Sequence, residues 1–309
     1  MNSLRRPFLL SRRLCLAGGA LWLSGCSRDG DDTDQPGAAF IDSQIPPGLS
    51  PEDYPPAGFV WSGFRHGALP EARYGVAAPP LNPRAHLLVL SDARYPAEIY
   101  FGLARHAIAS NVCVWILEAP GQGGSGKYLM QNQDVFLPKY RDAVQTAEDF
   151  VARIIRPDAE KPLYIFAHGF AVPTARLLQT KDWPLKASLF YAPWTGEKIE
   201  SPEQWRREDT PAAPWDQVAQ RWRMANPDLR RVHLGQRWQE QMQAALKAAD
   251  GFSLDRLTSA THTPVFISGT GASLQPLCRG QKTCQVRQVT DESGLGPVLT
   301  EFLGAGVQT

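Results

Sequence analysis

The chain has 309 residues, 43% hydrophobic and 20% charged, and its 32 Lys and Arg offset 31 Asp and Glu to leave a formal charge of +1. That balance, with no basic run beyond the first residues, excludes nucleic acid as a partner. After a short leader the length suits one large folded domain of about 250 residues.

Arg5, Arg6, Arg12 and Arg13 precede an apolar stretch, Leu14 to Leu23, which leads into Leu23-Ser24-Gly25-Cys26. A charged start, a short apolar core and small residues before a cut describe an export signal over residues 1–25. The apolar run is shorter than the roughly 20 residues a spanning helix needs, so a membrane anchor ranks second. Leu23 to Cys26 resembles a bacterial lipobox. Cys26 is therefore the expected lipid anchor, with palmitate among its acyl groups, and the membrane is a partner through it. Ser27 follows rather than Asp; similarity to Gram-negative lipoproteins then implies the periplasmic face of the outer membrane. The arginine pairs suit either Sec or twin-arginine export. Residues 26–57 hold Asp29, Asp31, Asp32 and Asp34, many prolines and few large apolar side chains. They read as a flexible tether, with the folded domain over 58–309.

Within that domain strand and helix patterns alternate. Ala85 to Leu90 is an apolar strand, Ala97 to Ser110 has helical spacing, and Asn111 to Leu117 is the next strand. A glycine-rich loop, Glu118 to Gly126, follows. Tyr140 to Ile155 is a helix, Leu163 to Phe166 a strand, Val172 to Gln179 a helix and Leu185 to Tyr191 a strand. Residues 195–257 are charged, tryptophan-rich and helical. Pro264 to Ser268 and Gln285 to Val289 are strands, and Val298 to Leu303 is a last helix. The alternation predicts an α/β fold, a mostly parallel sheet covered on both faces.

Residues 161–176 carry the most telling pattern. An apolar strand runs into Ala167-His168-Gly169-Phe170-Ala171 and then a helix. This is the setting of a G-x-S-x-G elbow, in which a sharp strand-to-helix turn exposes a nucleophilic serine. Here the central residue is Gly169, which has no side chain with which to attack a carbonyl.

Of the five cysteines, Cys15 leaves with the signal, Cys26 takes lipid, and Cys113 lies in an apolar strand and should be buried. Cys278 and Cys284 flank a five-residue loop and are expected to form a disulfide in an oxidising compartment. Two cysteines without a nearby histidine make a poor metal site, and no metal or cofactor is expected.

The sequence resembles the monoacylglycerol lipase and bacterial lysophospholipase branch of the α/β-hydrolases over roughly residues 58–304. Arg73-Tyr74-Gly75 before the first parallel strand resembles the family's entry hairpin. Glu118 to Ser125 resembles its D-x-R-G-x-G-x-S loop, and Leu163 to Ala171 its strand and elbow, with His168 in place. Asn226-Pro227-Asp228 leading to Trp238 is similar to the return from cap to core. The resemblance implies an α/β-hydrolase fold with a helical cap over about 195–257.

It also implies a triad that this chain lacks. Gly169 stands at the serine position and Ala272 near the acid. No histidine follows the strand Gln285 to Val289. Ser91-Asp92 replaces the His-Gly of the oxyanion loop, so Asp92, His168 and Phe170 mark the oxyanion pocket to test. His168 and Ser125 are expected to be structural. Glu118, Asp92 and Asp291 could pair to activate water, but solvated loop charges are the expected role. Trp194, Trp205, Trp215, Trp222 and Trp238 interleave with arginines in the cap, where the tryptophans should pack on the core and the arginines form a solvated face.

Three readings follow. One is a noncatalytic envelope lipoprotein binding a lipid, a fatty acid or an acidic peptide between cap and sheet, or binding a protein. The second is a divergent lysophospholipase-like ester or lipid hydrolase. The third is a structural lipoprotein with a collapsed cleft, which large side chains above Gly169 would favour.

Overall fold

The computed structural model describes residues 37–129, 134–251, 265–269, 284–289 and 292–305. Eight strands form one sheet in the order β1-β2-β4-β3-β5-β6-β7-β8. They are β1 (Val60–Phe64), β2 (Ala72–Ala77), β3 (Ala85–Leu90), β4 (Val112–Leu117), β5 (Leu163–His168), β6 (Leu185–Tyr191), β7 (Val265–Gly269) and β8 (Cys284–Gln288). From β4 to β8 every pairing is parallel, and β1 and β2 add an antiparallel edge. β3 and β5 are buried along their whole length, as strands covered on both faces must be.

Alternate strand residues face opposite layers. Leu87, Val89, Tyr164 and Phe166 meet α1 (Phe101–Ala109) and α6 (Leu295–Ala305) through Ala104, Leu299 and Phe302. Leu88, Leu90, Ile165 and Ala167 meet α2 (Tyr140–Phe150) and α3 (Val172–Leu178) through Ala147, Phe150, Ala175 and Leu178. The cap contributes α4 (Pro214–Ala225) and α5 (Gln236–Gly251). Its first part, residues 195–213, is not helical.

Two expectations are corrected here. The reading of 26–57 as a flexible tether fails for residues 37–57, which form a strap bound to the body. Glu71 donates its N–H to Gly37 O, Phe40 donates to Gly124 O, and Gln44 and Asn226 exchange hydrogen bonds. Leu49 is buried against Phe101, Trp222 and Leu229. Backbone bonding, with Leu49 and the partly buried Phe40 as apolar anchors, holds this segment, so a composition poor in large apolar residues did not reveal it. The second correction concerns the cap. Trp222 and Trp238 are buried as expected, but Arg223 and Arg231 are buried too. Their guanidinium groups donate to the carbonyls of Arg94, Leu229, Gly123 and Ser125. A buried arginine is tolerable there because carbonyl oxygens accept hydrogen bonds from its N–H groups.

The export signal, Cys26, Ala272, Cys278 and Asp291 lie outside the described residues. Among the described residues no helix is long and apolar enough to cross a membrane.

Candidate functional site

β5 runs through His168, and Gly169 opens a short 3-10 turn, Gly169–Ala171, that leads into α3. Gly169 has φ of +51°, in the left-handed region where glycine is favoured. The strand-to-helix turn at an elbow is thus present. Its centre is already occupied. A Cβ built on Gly169 would lie 1.8 Å from Asp92 Oδ2.

Asp92 follows β3 and is fully buried. Its Oδ2 accepts the Phe170 backbone N–H at 3.0 Å and Arg94 Nη2 at 2.9 Å. Its Oδ1 accepts the Arg94 N–H at 2.7 Å and Arg94 Nε at 3.0 Å. Burial pushes the Asp92 carboxyl up, but the adjacent Arg94 charge and its hydrogen bonds outweigh this and hold it below the usual carboxylate range. The carboxylate is therefore ionised and supplied with four donors. In an elbow, the N–H after the nucleophile belongs to the oxyanion hole. Here that donor is spent on the protein's own anion.

His168 stands beside this pair. Asp92 donates its N–H to Tyr100 Oη at 3.0 Å, and Tyr100 Oη lies 3.0 Å from His168 Nδ1. Burial pushes the His168 imidazole down to about 4, so it is neutral at neutral pH. Tyr95 stacks on the ring with centroids 5.4 Å apart, and Trp215 and Tyr191 close it in at 5.2 and 5.1 Å. The structural role expected for His168 fits this cage.

Phe170 and Trp238 meet edge to face at 5.0 Å over the turn. The cavity left between them, Ala93, Leu137, Thr174 and Met242 is about 30 Å³. That is room for about two waters and far below that of a ligand-sized pocket. The expected ligand cleft above Gly169 is therefore closed, by Asp92 below and by aromatic side chains around it.

The glycine-rich loop wraps a second buried charge cluster. Arg73 Nη2 donates to Glu98 Oε1 at 2.6 Å, and Arg73 Nη1 lies 3.5 Å from Glu118 Oε2. Glu118 also accepts the N–H groups of Ala97 and Gly124, at 3.0 and 2.9 Å. The Trp61 ring lies 3.6 Å from the Arg73 guanidinium carbon. Ser125 Oγ accepts the Arg73 N–H at 2.8 Å and donates to Glu118 O at 3.0 Å, a loop-supporting role as expected. A Cβ on Gly123 would sit 2.0 Å from Glu118 Oε1, which is why the loop needs glycine there. Asp92 and Glu118 are thus not the solvated loop charges expected. Each is buried and bonded to an arginine and to backbone N–H groups, and Asp92 has all four of its acceptor sites filled.

His66 and His86 bond to residues away from this turn. His66 Nδ1 is 3.1 Å from Asp149, and His86 accepts from Trp115 Nε1 at 3.2 Å. Cys113 is buried, with its thiol pushed up to about 11 by burial. Cys284 begins β8. Among the described residues no cluster of three His, Cys, Asp or Glu side chains could hold a metal. Sequence reasoning missed Arg94, Tyr100, Arg73 and Glu98; the only signal for the first was its place two residues after Asp92.

No protein-family model and no curated protein matches the chain. Solved structures do. Est1E from Butyrivibrio proteoclasticus is 12% identical with a TM-score of 0.52, over 81% of this chain and 99% of that one. A haloalkane dehalogenase loop variant from Bradyrhizobium elkanii is 11% identical at 0.54, over 81% and 97%. The Paleococcus ferrophilus monoacylglycerol lipase is 11% identical at 0.55, over 75% and 98%. The chain has an α/β-hydrolase fold. At such identity the likeness speaks for the scaffold alone, and scaffolds of this kind host unrelated chemistries.

Proposed function

We propose that this chain is an envelope lipoprotein built on an α/β-hydrolase scaffold that is noncatalytic at its elbow and acts by binding through its outer surface. The observation that carries the reading is the Asp92 carboxylate in the place of the missing nucleophile's side chain, bonded to the Phe170 N–H. Acyl transfer needs a nucleophile, a base within reach and free oxyanion donors. At this turn the first is a glycine, the nearest histidine among the described residues is caged and bonded to Tyr100, and the donor is taken. The lipoprotein part rests on Leu23-Ser24-Gly25-Cys26, and Ser27 after the cysteine, where Asp would hold it at the inner membrane, supports the periplasmic side of the outer membrane. The closed cavity beside Phe170 favours an outer surface over the cap–sheet cleft as the working face.

The test is to treat the purified mature chain with a fluorophosphonate probe and with short and long acyl esters. Neither labelling nor turnover is expected. A labelled serine, or turnover above the uncatalysed rate, overturns the noncatalytic reading.

A further inference from the structure

If Cys26 carries the lipid, the strap sets how far the body can stand from the bilayer. Eleven Cα-to-Cα steps separate Cys26 from Gly37, the first described residue, whose carbonyl is bonded to the body. At full extension they span at most about 36–40 Å. The strap itself leads directly to an apolar hollow of about 570 Å³.

Pro46 and Pro47 of the strap form one wall of that hollow, and Met224 and Ala225 at the end of α4 form another, with Pro211 beside them. Met224 is 42% exposed. Ile45, 50% exposed, lies between Gln44, which is bonded to Asn226, and Pro46 in the wall. The two charged side chains lining the hollow are Arg207 and Arg221, and no carboxylate lines it. Glu208 and Asp209 follow Arg207 in the chain but stand outside the lining. Both arginines are exposed. Exposed apolar residues grouped on a surface mark an interaction site. Apolar side chains flanked by arginine suit the headgroup region of an anionic leaflet, where each cation adds attraction.

We propose that the hollow between Pro46–Pro47 and the end of α4 is a docking face for an anionic phospholipid bilayer, namely the membrane that holds Cys26. The proposal rests on the lipoprotein reading for the identity of that membrane. The occupant is argued from the short span to Gly37 and from the charge of the walls. The lipid and the docking face would act as two signals, holding the body against the surface in one orientation.

The experiment uses the mature chain carrying Cys26→Ser, so that no acyl group contributes. It is floated with vesicles of phosphatidylglycerol and phosphatidylethanolamine, and with vesicles of phosphatidylcholine alone. Flotation is expected with the anionic vesicles only, and should be lost at about 0.5 M salt, where screening shortens the reach of charge. The double variant Met224→Asp, Arg207→Ala should bind at least about fivefold more weakly with an unchanged melting temperature. The idea is overturned by absent flotation, by equal flotation with neutral vesicles, or by a double variant that binds as the parent does. Retention on an acidic polypeptide without vesicle binding would overturn it in favour of a protein partner. Acyl labelling of the unmutated chain reads the anchor separately. An unlabelled Cys26 with vesicle binding intact leaves the docking face and removes the lipoprotein reading. A labelled Cys26 without vesicle binding does the reverse.

Discussion

Asp92 Oδ2 lies 3.0 Å from the Phe170 backbone nitrogen, joining the loop after β3 to the first turn after β5. The bond is made inside the protein by two residues 78 positions apart. It fills the space over Gly169 and ties the two central strands of the sheet together at the end where an α/β-hydrolase would work.

Removing the Asp92 carboxylate should therefore be a stability change. Asp92→Ala leaves the buried Phe170 N–H without an acceptor and Arg94 without its partner. An orphaned buried donor costs about 1–3 kcal/mol. The Arg94 side chain is 43% exposed and can be rehydrated, so its loss adds little. A total of about 2–3 kcal/mol is expected from denaturant unfolding, with Asp92→Asn losing roughly half of that because one amide oxygen remains. Wild-type stability in both variants would contradict the role given to Asp92.

Gly169→Ser should not create a serine hydrolase. Its Cβ meets Asp92 Oδ2 at 1.8 Å, and the φ of +51° is strained for any side chain. Strain and displacement of a bonded carboxylate should lower stability by roughly 1–3 kcal/mol. Pairing it with Asp92→Gly relieves the clash but supplies no base, so ester turnover should stay at the uncatalysed rate. Measured turnover in the double variant would mean that a base exists which the geometry does not reveal.

His168 gives the fold an acid sensitivity of definite sign. Its ordinary value is 6.5 and burial holds the folded value at about 4. The unfolded chain therefore binds the proton first, and stability is complete above about pH 6.5 and falls as pH drops towards 4. The gap corresponds to about 3 kcal/mol over that window. Asp92, held below the usual carboxylate range, would lose its contribution only at lower pH still. Urea midpoints between pH 7 and 4.5 should show the slope, and His168→Phe should flatten it. An equal slope in that variant would place the sensitivity elsewhere.

Cys26→Ala should leave an unprocessed precursor that takes up no labelled palmitate. The motive is the lipobox-like Leu23-Ser24-Gly25-Cys26. A variant still processed and labelled would show that another residue is the anchor.

The sheet was legible because burial on two faces leaves an unmistakable trace. Ala85–Leu90, apolar but for His86, and Leu185–Tyr191, which ends in the apolar run Leu189 to Tyr191, are both strands to the residue. The turn at Gly169 was legible through its strand-to-helix context. The place of Asp92 at the oxyanion loop was legible too, but its role was not, since that depends on a contact between two loops that no local pattern announces. Arg223 and Arg231 misled for a related reason: the acceptors that make their burial tolerable are main-chain carbonyls, which leave no mark on side-chain composition. The strap escaped on the same ground, held mostly by backbone bonds with Leu49 as its buried apolar anchor.

Arg231 has one more consequence. It reaches from the cap to the carbonyls of Gly123 and Ser125, in the loop that wraps Glu118 and Arg73. Trp222 is buried with Leu49 and Phe101, and Trp238 with Phe170 and Trp194. Swinging the cap aside would strip carbonyl partners from a guanidinium and wet two indoles at once, so the cap has no inexpensive open state. Amides of α4 and α5 should then exchange with solvent at the rate of whole-body unfolding, in a single cooperative step shared with β3 and β5.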